Sequence, residues 1–215
     1  RLDAELIYKF DIPTSNIIIG GRFMKKLALV LSLVLMLTFV GCSSKTTVKE
    51  TDAFRFDSKT GYAYSTAPFG IDTTELESAI GSKLTMVSES PATAPFAYTN
   101  YSSEDIVQSA DCSGKFDAQF DENGKLFSVT FHEQLARGTA EEHFKAANKR
   151  FTETFGAPAV QDDNGTGTQY LEWQDKSSGT ALGLTYTDLG TTDPTLMISV
   201  FEKSRYVETG TGEWK

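Results

Sequence analysis

The chain has 215 residues, 40% hydrophobic and 23% charged, with 20 basic side chains against 29 acidic ones and only two cysteines. A net charge of −9 sets up a field that repels phosphate backbones, which argues against nucleic acid as a partner. Two cysteines exclude a dense disulfide framework, so a hydrophobic core has to hold the fold.

In chain order, residues 1–23 precede Met24. Gly20-Gly21-Arg22 can be encoded by a purine-rich ribosome-binding sequence just upstream of that methionine. The expectation is that 1–23 is upstream leader read through in frame; a genuine cytoplasmic extension is the alternative. Met24-Lys25-Lys26 then opens an apolar run from Leu27 to Val40, interrupted by Ser32 and Thr38. Fourteen residues fall short of the ~20 that span a bilayer core. A positive start, a short apolar stretch and small residues at its end describe a signal peptide over 24–41 rather than an anchor helix.

The residues Phe39-Val40-Gly41-Cys42 resemble the lipobox of bacterial lipoproteins. The family usually has leucine where Phe39 stands. The resemblance implies that Cys42 is acylated with palmitate-like chains after cleavage before it. The protein would then be lipid-anchored at the extracytoplasmic face of the cell membrane, with the bilayer as its partner. Two acyl chains hold stably where one is marginal. The chain from Cys42 onward carries 15 basic and 26 acidic residues, net −11, so lipid rather than a basic patch has to supply the attachment. Cys112 is then a lone thiol in the turn-like "SADCSGK".

Residues 42–52 are polar without an apolar period and predict a flexible tether. A domain follows over 53–205. Phe54 and Phe56 alternate, as do Tyr62 and Tyr64, about a glycine-containing turn, which predicts a hairpin. In "FGIDTTELESAIG" Asp72 and Glu75 have capping-box spacing, Leu76, Ala79 and Ile80 share a helical face, and Gly81 ends the helix. "KLTMVSES" and "PFAYTNY" alternate as strands, and 102–113 reads as either short helix or loop. Phe116, Ala118 and Phe120, then Phe127, Val129 and Phe131, flank Asn123-Gly124 with period two. That pattern predicts a tight hairpin with six side chains on one buried face.

A second helix is predicted from a Thr139/Glu142 capping box, with Phe144, Ala147, Phe151 and Phe155 on one face and Gly156 and Pro158 as the stop. Strands are predicted over 168–174, 180–188 and 194–203, and a loose polar tail over 206–215. The fold class is therefore α+β: two degenerate helix-plus-antiparallel-meander units forming a sheet with helices on one face. On "FGIDTTELESAIG" and "TETFGAPAV…LEWQD…TALGLTY" the layout resembles small secreted bacterial lipoproteins with helix-plus-meander repeats and the beta-lactamase inhibitor protein. The resemblance carries no functional residue across.

The chemical motifs are few. "HEQLA" over 132–136 begins like H-E-x-x-H but ends in Ala136, and His143 falls on the wet side of the second helix. "DDNGTGT" lacks the spacing and the closing glutamate of a calcium loop. No nucleophile elbow, phosphate loop or Cys-x-x-Cys occurs after Cys42, so no catalytic residue, metal or cofactor is assigned. The expected function is non-catalytic binding of a protein or envelope component, with Tyr98, Tyr101, Trp173 and Tyr186 as a solvent-facing patch. The alternative is a carboxylate-dependent hydrolase acting on cell-wall glycan.

Overall fold

The structure is a computed structural model and describes residues 46–215 except Ala110. The segments expected to be read-through leader and signal peptide, and Cys42, lie outside the described residues. The fold is β-rich. Eight strands form an antiparallel path in the order β4-β5-β7-β8-β12-β11-β10-β9, and a short β6 pairs with β7 beside it. These strands are β4 Leu84–Glu89, β5 Tyr98–Ser103, β6 Val107–Gln108, β7 Ser113–Asp121, β8 Leu126–Gln134, β9 Val160–Asp163, β10 Thr168–Asp175, β11 Thr180–Thr187 and β12 Thr195–Phe201. A separate three-stranded sheet joins β1 Val48–Glu50, β2 Phe54–Asp57 and β3 Gly61–Tyr64. Among the described residues there are three helices: α1 Thr73–Ile80, α2 Arg137–Phe155 and α3 Lys203–Glu208.

Local sequence accounts for several of these elements. In α1 the Asp72 side chain accepts from Glu75 N while Glu75 accepts from Asp72 N, and Gly81 closes the helix at φ 67°. In the first hairpin Phe54 faces Tyr64 and Phe56 faces Tyr62, as the alternation predicts. Gly61, at φ 78°, brings this hairpin down onto the β10–β11 turn. A Cβ there would lie 1.9 Å from Ser178 Oγ and 2.1 Å from Thr180 Oγ1, and the neighbouring Tyr62 N–H donates to Thr180 Oγ1 at 2.7 Å.

Two expectations about α2 separate. Its apolar stripe is buried as predicted, and Ala140 extends it. The capping box does not form, because the helix begins at Arg137, before Thr139, and Ala136 stands at its cap without a side-chain bond.

The core lies between one face of the large sheet and a cover made of α1, α2 and the β2–β3 hairpin. Phe151 is fully buried there, edge-on to Phe54 and Trp173 at centroid distances of 5.7 and 5.6 Å. The predicted six-residue face of the β7–β8 hairpin needs one correction. The register shifts between Gln119, opposite Ser128, and Phe120, opposite Leu126. This bulge puts Leu126 in the core with the others and turns Phe127 to the opposite face, against Phe96 and Tyr98.

Other departures concern the ends of the domain. The segment expected to be tether pairs as β1, with Val48 opposite Asp57. The 102–113 segment holds a two-residue strand rather than a helix, and β9 adds an unpredicted edge strand. The helices do not share one face: α3 sits on the side away from α2, with Tyr206 edge-on to Phe201 and Arg205 over Phe127. The tail beyond it is docked, since Lys215 N–H donates to Gln174 at 2.9 Å and Trp214 lies under the Lys203 ammonium.

Candidate functional site

Because strand side chains alternate, the residues between core positions line the second face of the sheet. α3 and the 91–97 connection cover one end of that face through Tyr206 and Phe96, and among the described residues the middle is open, with the His132 and Asp117 side chains 38% and 41% exposed. Pairing places Ser102, Asp117, Thr130, Ser199, Gly183 and Glu172 side by side across six strands. A neighbouring row runs through Asn100, Gln119, Ser128 and Phe201. Between the central strands lies a groove of about 390 Å³.

The polar groups of this groove hold one another in fixed orientations. Asn100 Nδ2 donates to Ser88 Oγ at 2.9 Å, Gln119 Nε2 to Asn100 Oδ1 at 3.0 Å, and Tyr206 OH to Gln119 Oε1 at 3.2 Å. Thr130 and Ser199 share a hydroxyl–hydroxyl bond of 2.9 Å. His132 Nε2 lies 2.9 Å from Asp117 Oδ2. Burial alone would raise the Asp117 pKa. The hydrogen bonds from His132 and Ser102 outweigh it and hold the carboxyl below the usual range. Gly183 forms part of the floor, where a Cβ would stand 3.3 Å from the Tyr170 ring and 3.7 Å from Phe201. The missing side chain leaves room for both rings beside the strand.

At the margin of this face Glu172 is 4% exposed in its side chain and accepts from Tyr170 OH, Gln174 and the Lys203 ammonium, itself 9% exposed. Lys203 comes from the first turn of α3, so this ion pair ties the helix to β10. Burial, then the neighbouring Glu172 charge, raises the Tyr170 phenol pKa.

A smaller cleft of about 240 Å³ opens beside α2. Asp111, 1% exposed in its side chain, lies 3.0 Å from Arg150 and accepts from Ala53 N–H at 2.5 Å. Glu133 lies 3.2 Å from His143. Cys112 borders this cleft and is buried rather than in an open loop; burial pushes its thiol up to about 12, so it is a poor nucleophile.

The structure does not bring the predicted aromatic patch together. Trp173 is 1% exposed in the core, its Nε1–H donating to Gly156 O at 2.7 Å, and Tyr186 is buried against Phe144. Tyr101 packs edge-on to Phe120 on the core side of β5, and Tyr98 lies on the opposite side with Phe96 and Phe127. Strand parity separates them. The groove residues Asn100, Asp117, Gln119, Thr130 and Ser199 carry no local signal, because each is an ordinary strand polar, and His132 stands out in the sequence only as the start of an incomplete zinc motif. Only the register aligns them, although their regular alternation with core residues was visible.

Among the described residues no three His, Cys, Asp or Glu side chains cluster as a metal site, and no helix is long and apolar enough to cross a membrane. The 163–168 loop spends its oxygens on itself: Asp163 accepts from Gly165 N–H, and Asn164 Oδ1 accepts from Thr166 and Thr168 N–H. No family model matches the chain, and no curated protein or solved structure matches it either.

Proposed function

We propose that the protein is an extracytoplasmic lipoprotein, anchored through acylated Cys42, that binds a ligand non-covalently in the groove on the uncovered sheet face. The observation that carries the binding reading is the set of pre-oriented polar side chains in that groove, on rigid central strands rather than mobile loops. The lipobox-like sequence ending at Cys42 supports the anchor.

The hydrolase alternative gains little from this face. Among the described residues Asp117 is the single carboxylate lining the groove, and Glu172 stands four strand spacings away, roughly 19 Å at ~4.8 Å each. Paired-carboxylate glycosidases need separations of roughly 5–10 Å.

The finer architecture belongs to the same proposal. α1 with β4, β5, β7 and β8, and α2 with β9 to β12, are two helix-plus-meander units whose last strands pair in the middle of the sheet. This arrangement supports the likeness to repeat lipoproteins and the beta-lactamase inhibitor protein.

The test compares affinity recovery from detergent-solubilised membranes by the wild-type protein and by Ser199→Arg, which fills the groove. Material recovered by the wild type and lost by the variant supports the reading. Equal recovery by both overturns the groove as the site, and turnover of a cell-wall glycan restores the hydrolase. Palmitate labelling that persists in Cys42→Ala removes the anchor.

A further inference from the structure

The geometry points to a neutral oligosaccharide as the ligand class of the sheet-face groove, an inference that rests on the binding reading above. Charge is the first argument. The chain from Cys42 onward carries net −11, yet among the described residues one carboxylate, Asp117, lines the groove, and that is tied to His132 at 2.9 Å. The remaining lining is amides, hydroxyls and rings. Among the described residues a cationic ligand finds no uncommitted acid there, and an anionic one finds no arginine or lysine lining the groove, against an acidic background.

Hydrogen-bonding capacity is the second argument. Each sugar hydroxyl donates one bond and accepts others, so it is best met by groups that can do both. Asn100 and Gln119 each spend one amide hydrogen along the Ser88–Asn100–Gln119–Tyr206 chain and keep a second in a known orientation. The Thr130–Ser199 pair spends one hydroxyl hydrogen and retains acceptor lone pairs. These groups sit on four adjacent strands, so donors and acceptors recur at ~4.8 Å intervals along the groove.

The third argument is apolar. The half-buried rings of Tyr170 and Phe201 flank Gly183, where no side chain rises between them. An aromatic surface beside fixed polar groups suits a pyranose, which has a C–H face and a hydroxyl edge. A peptide strand finds less here. The backbone groups of these central strands are consumed in the sheet on both sides, so strand addition is unavailable on the face.

The experiment titrates the full chain in detergent with maltotetraose, with tetra-N-acetylchitotetraose and with the anionic tetragalacturonate, by calorimetry and by side-chain amide NMR. At least one neutral tetramer is expected to bind and to shift the Asn100 and Gln119 amide signals, while tetragalacturonate does not bind. Gln119→Leu, with its urea midpoint checked for folding, is expected to weaken that binding at least tenfold. Failure of both neutral tetramers, or tighter binding of the anionic one, overturns the inference. Unchanged affinity in folded Gln119→Leu also overturns it. If the neutral tetramers fail while Ser199→Arg still loses the material recovered from membranes, the groove remains the binding site and only the sugar assignment falls. If Ser199→Arg loses nothing, the underlying reading falls with it.

Discussion

Replacing Phe151 with alanine tests whether α2 is fastened to the sheet as described. The ring is fully buried, with Phe54 and Trp173 edge-on to it and Phe155 tilted at 6.0 Å. Truncation removes roughly 100–150 Å² of buried apolar surface, about 3 kcal/mol at ~25 cal/mol per Å². Cavity volume that the neighbours fail to fill adds ~24 cal/mol per Å³, and lost ring contacts contribute in the same direction. Collapse is poor here, because Trp173 is pinned by its bond to Gly156 O and Phe54 belongs to a hairpin held by its own ladder. The expected loss is therefore about 3–5 kcal/mol. With a urea dependence of about 2 kcal/mol per molar, the unfolding midpoint falls by roughly 2 M. A loss below ~1 kcal/mol at unchanged slope would mean that Phe151 does not bridge helix, hairpin and sheet.

Four further outcomes are expected. Lys203→Met leaves Glu172 buried without its cation and destabilises by about 3–5 kcal/mol, whereas Glu172→Leu combined with it recovers much of the loss. Additive losses in that cycle would show that the pair is not coupled. Gly61→Ala forces a Cβ into Ser178 and Thr180 at positive φ and lowers stability by at least ~2 kcal/mol, read from chemical denaturation. Cys112 stays unmodified by a thiol reagent at pH 8 in the native state and reacts on unfolding; rapid native labelling contradicts its burial.

The fourth concerns acid. Burial would raise the Asp121 pKa, but bonds from Lys125 and Asn123 N–H and from Arg205 lower it overall, and serine hydroxyls and amides do the same for Asp175. Their folded values lie below the unfolded ~3.9. Their contribution is complete above that value and is lost as pH falls through the folded values. Asp121→Asn should flatten the acid limb of a stability profile below about pH 4. An unchanged limb would remove Asp121 from the account.

Local grammar made much of the fold legible. The Asp72–Glu75 box with Gly81 bounds α1, Asn123-Gly124 turns the β7–β8 hairpin, and the 144–147–151–155 stripe marks the buried face of α2. Each feature acts within a few residues, where backbone geometry and side-chain spacing decide. Reading failed where a distant partner decides. The Thr139–Glu142 box does not form because the helix is capped at Ala136, three residues before Thr139, and α3 depends on a lysine whose carboxylate partner is 31 residues away. The aromatic patch failed for a related reason: Tyr98 and Tyr101 lie three apart on one strand, and period two sends them to opposite faces.

The sequence by itself determined which segments alternate, which helix surface is apolar, that the domain is acidic, and that familiar catalytic and metal motifs are missing from it. Tertiary structure alone decided that β8 pairs with β12, and with it which polar residues meet. Asp117, Thr130 and Ser199 come from three strands spread over 82 residues, yet they stand in one row. Hydrogen-bond pairing between strands is set by register, by the bulge near Gln119 and by the order of strands in the sheet. These depend on the whole core packing at once. No local run of residues encodes them, and the groove exists only where they converge.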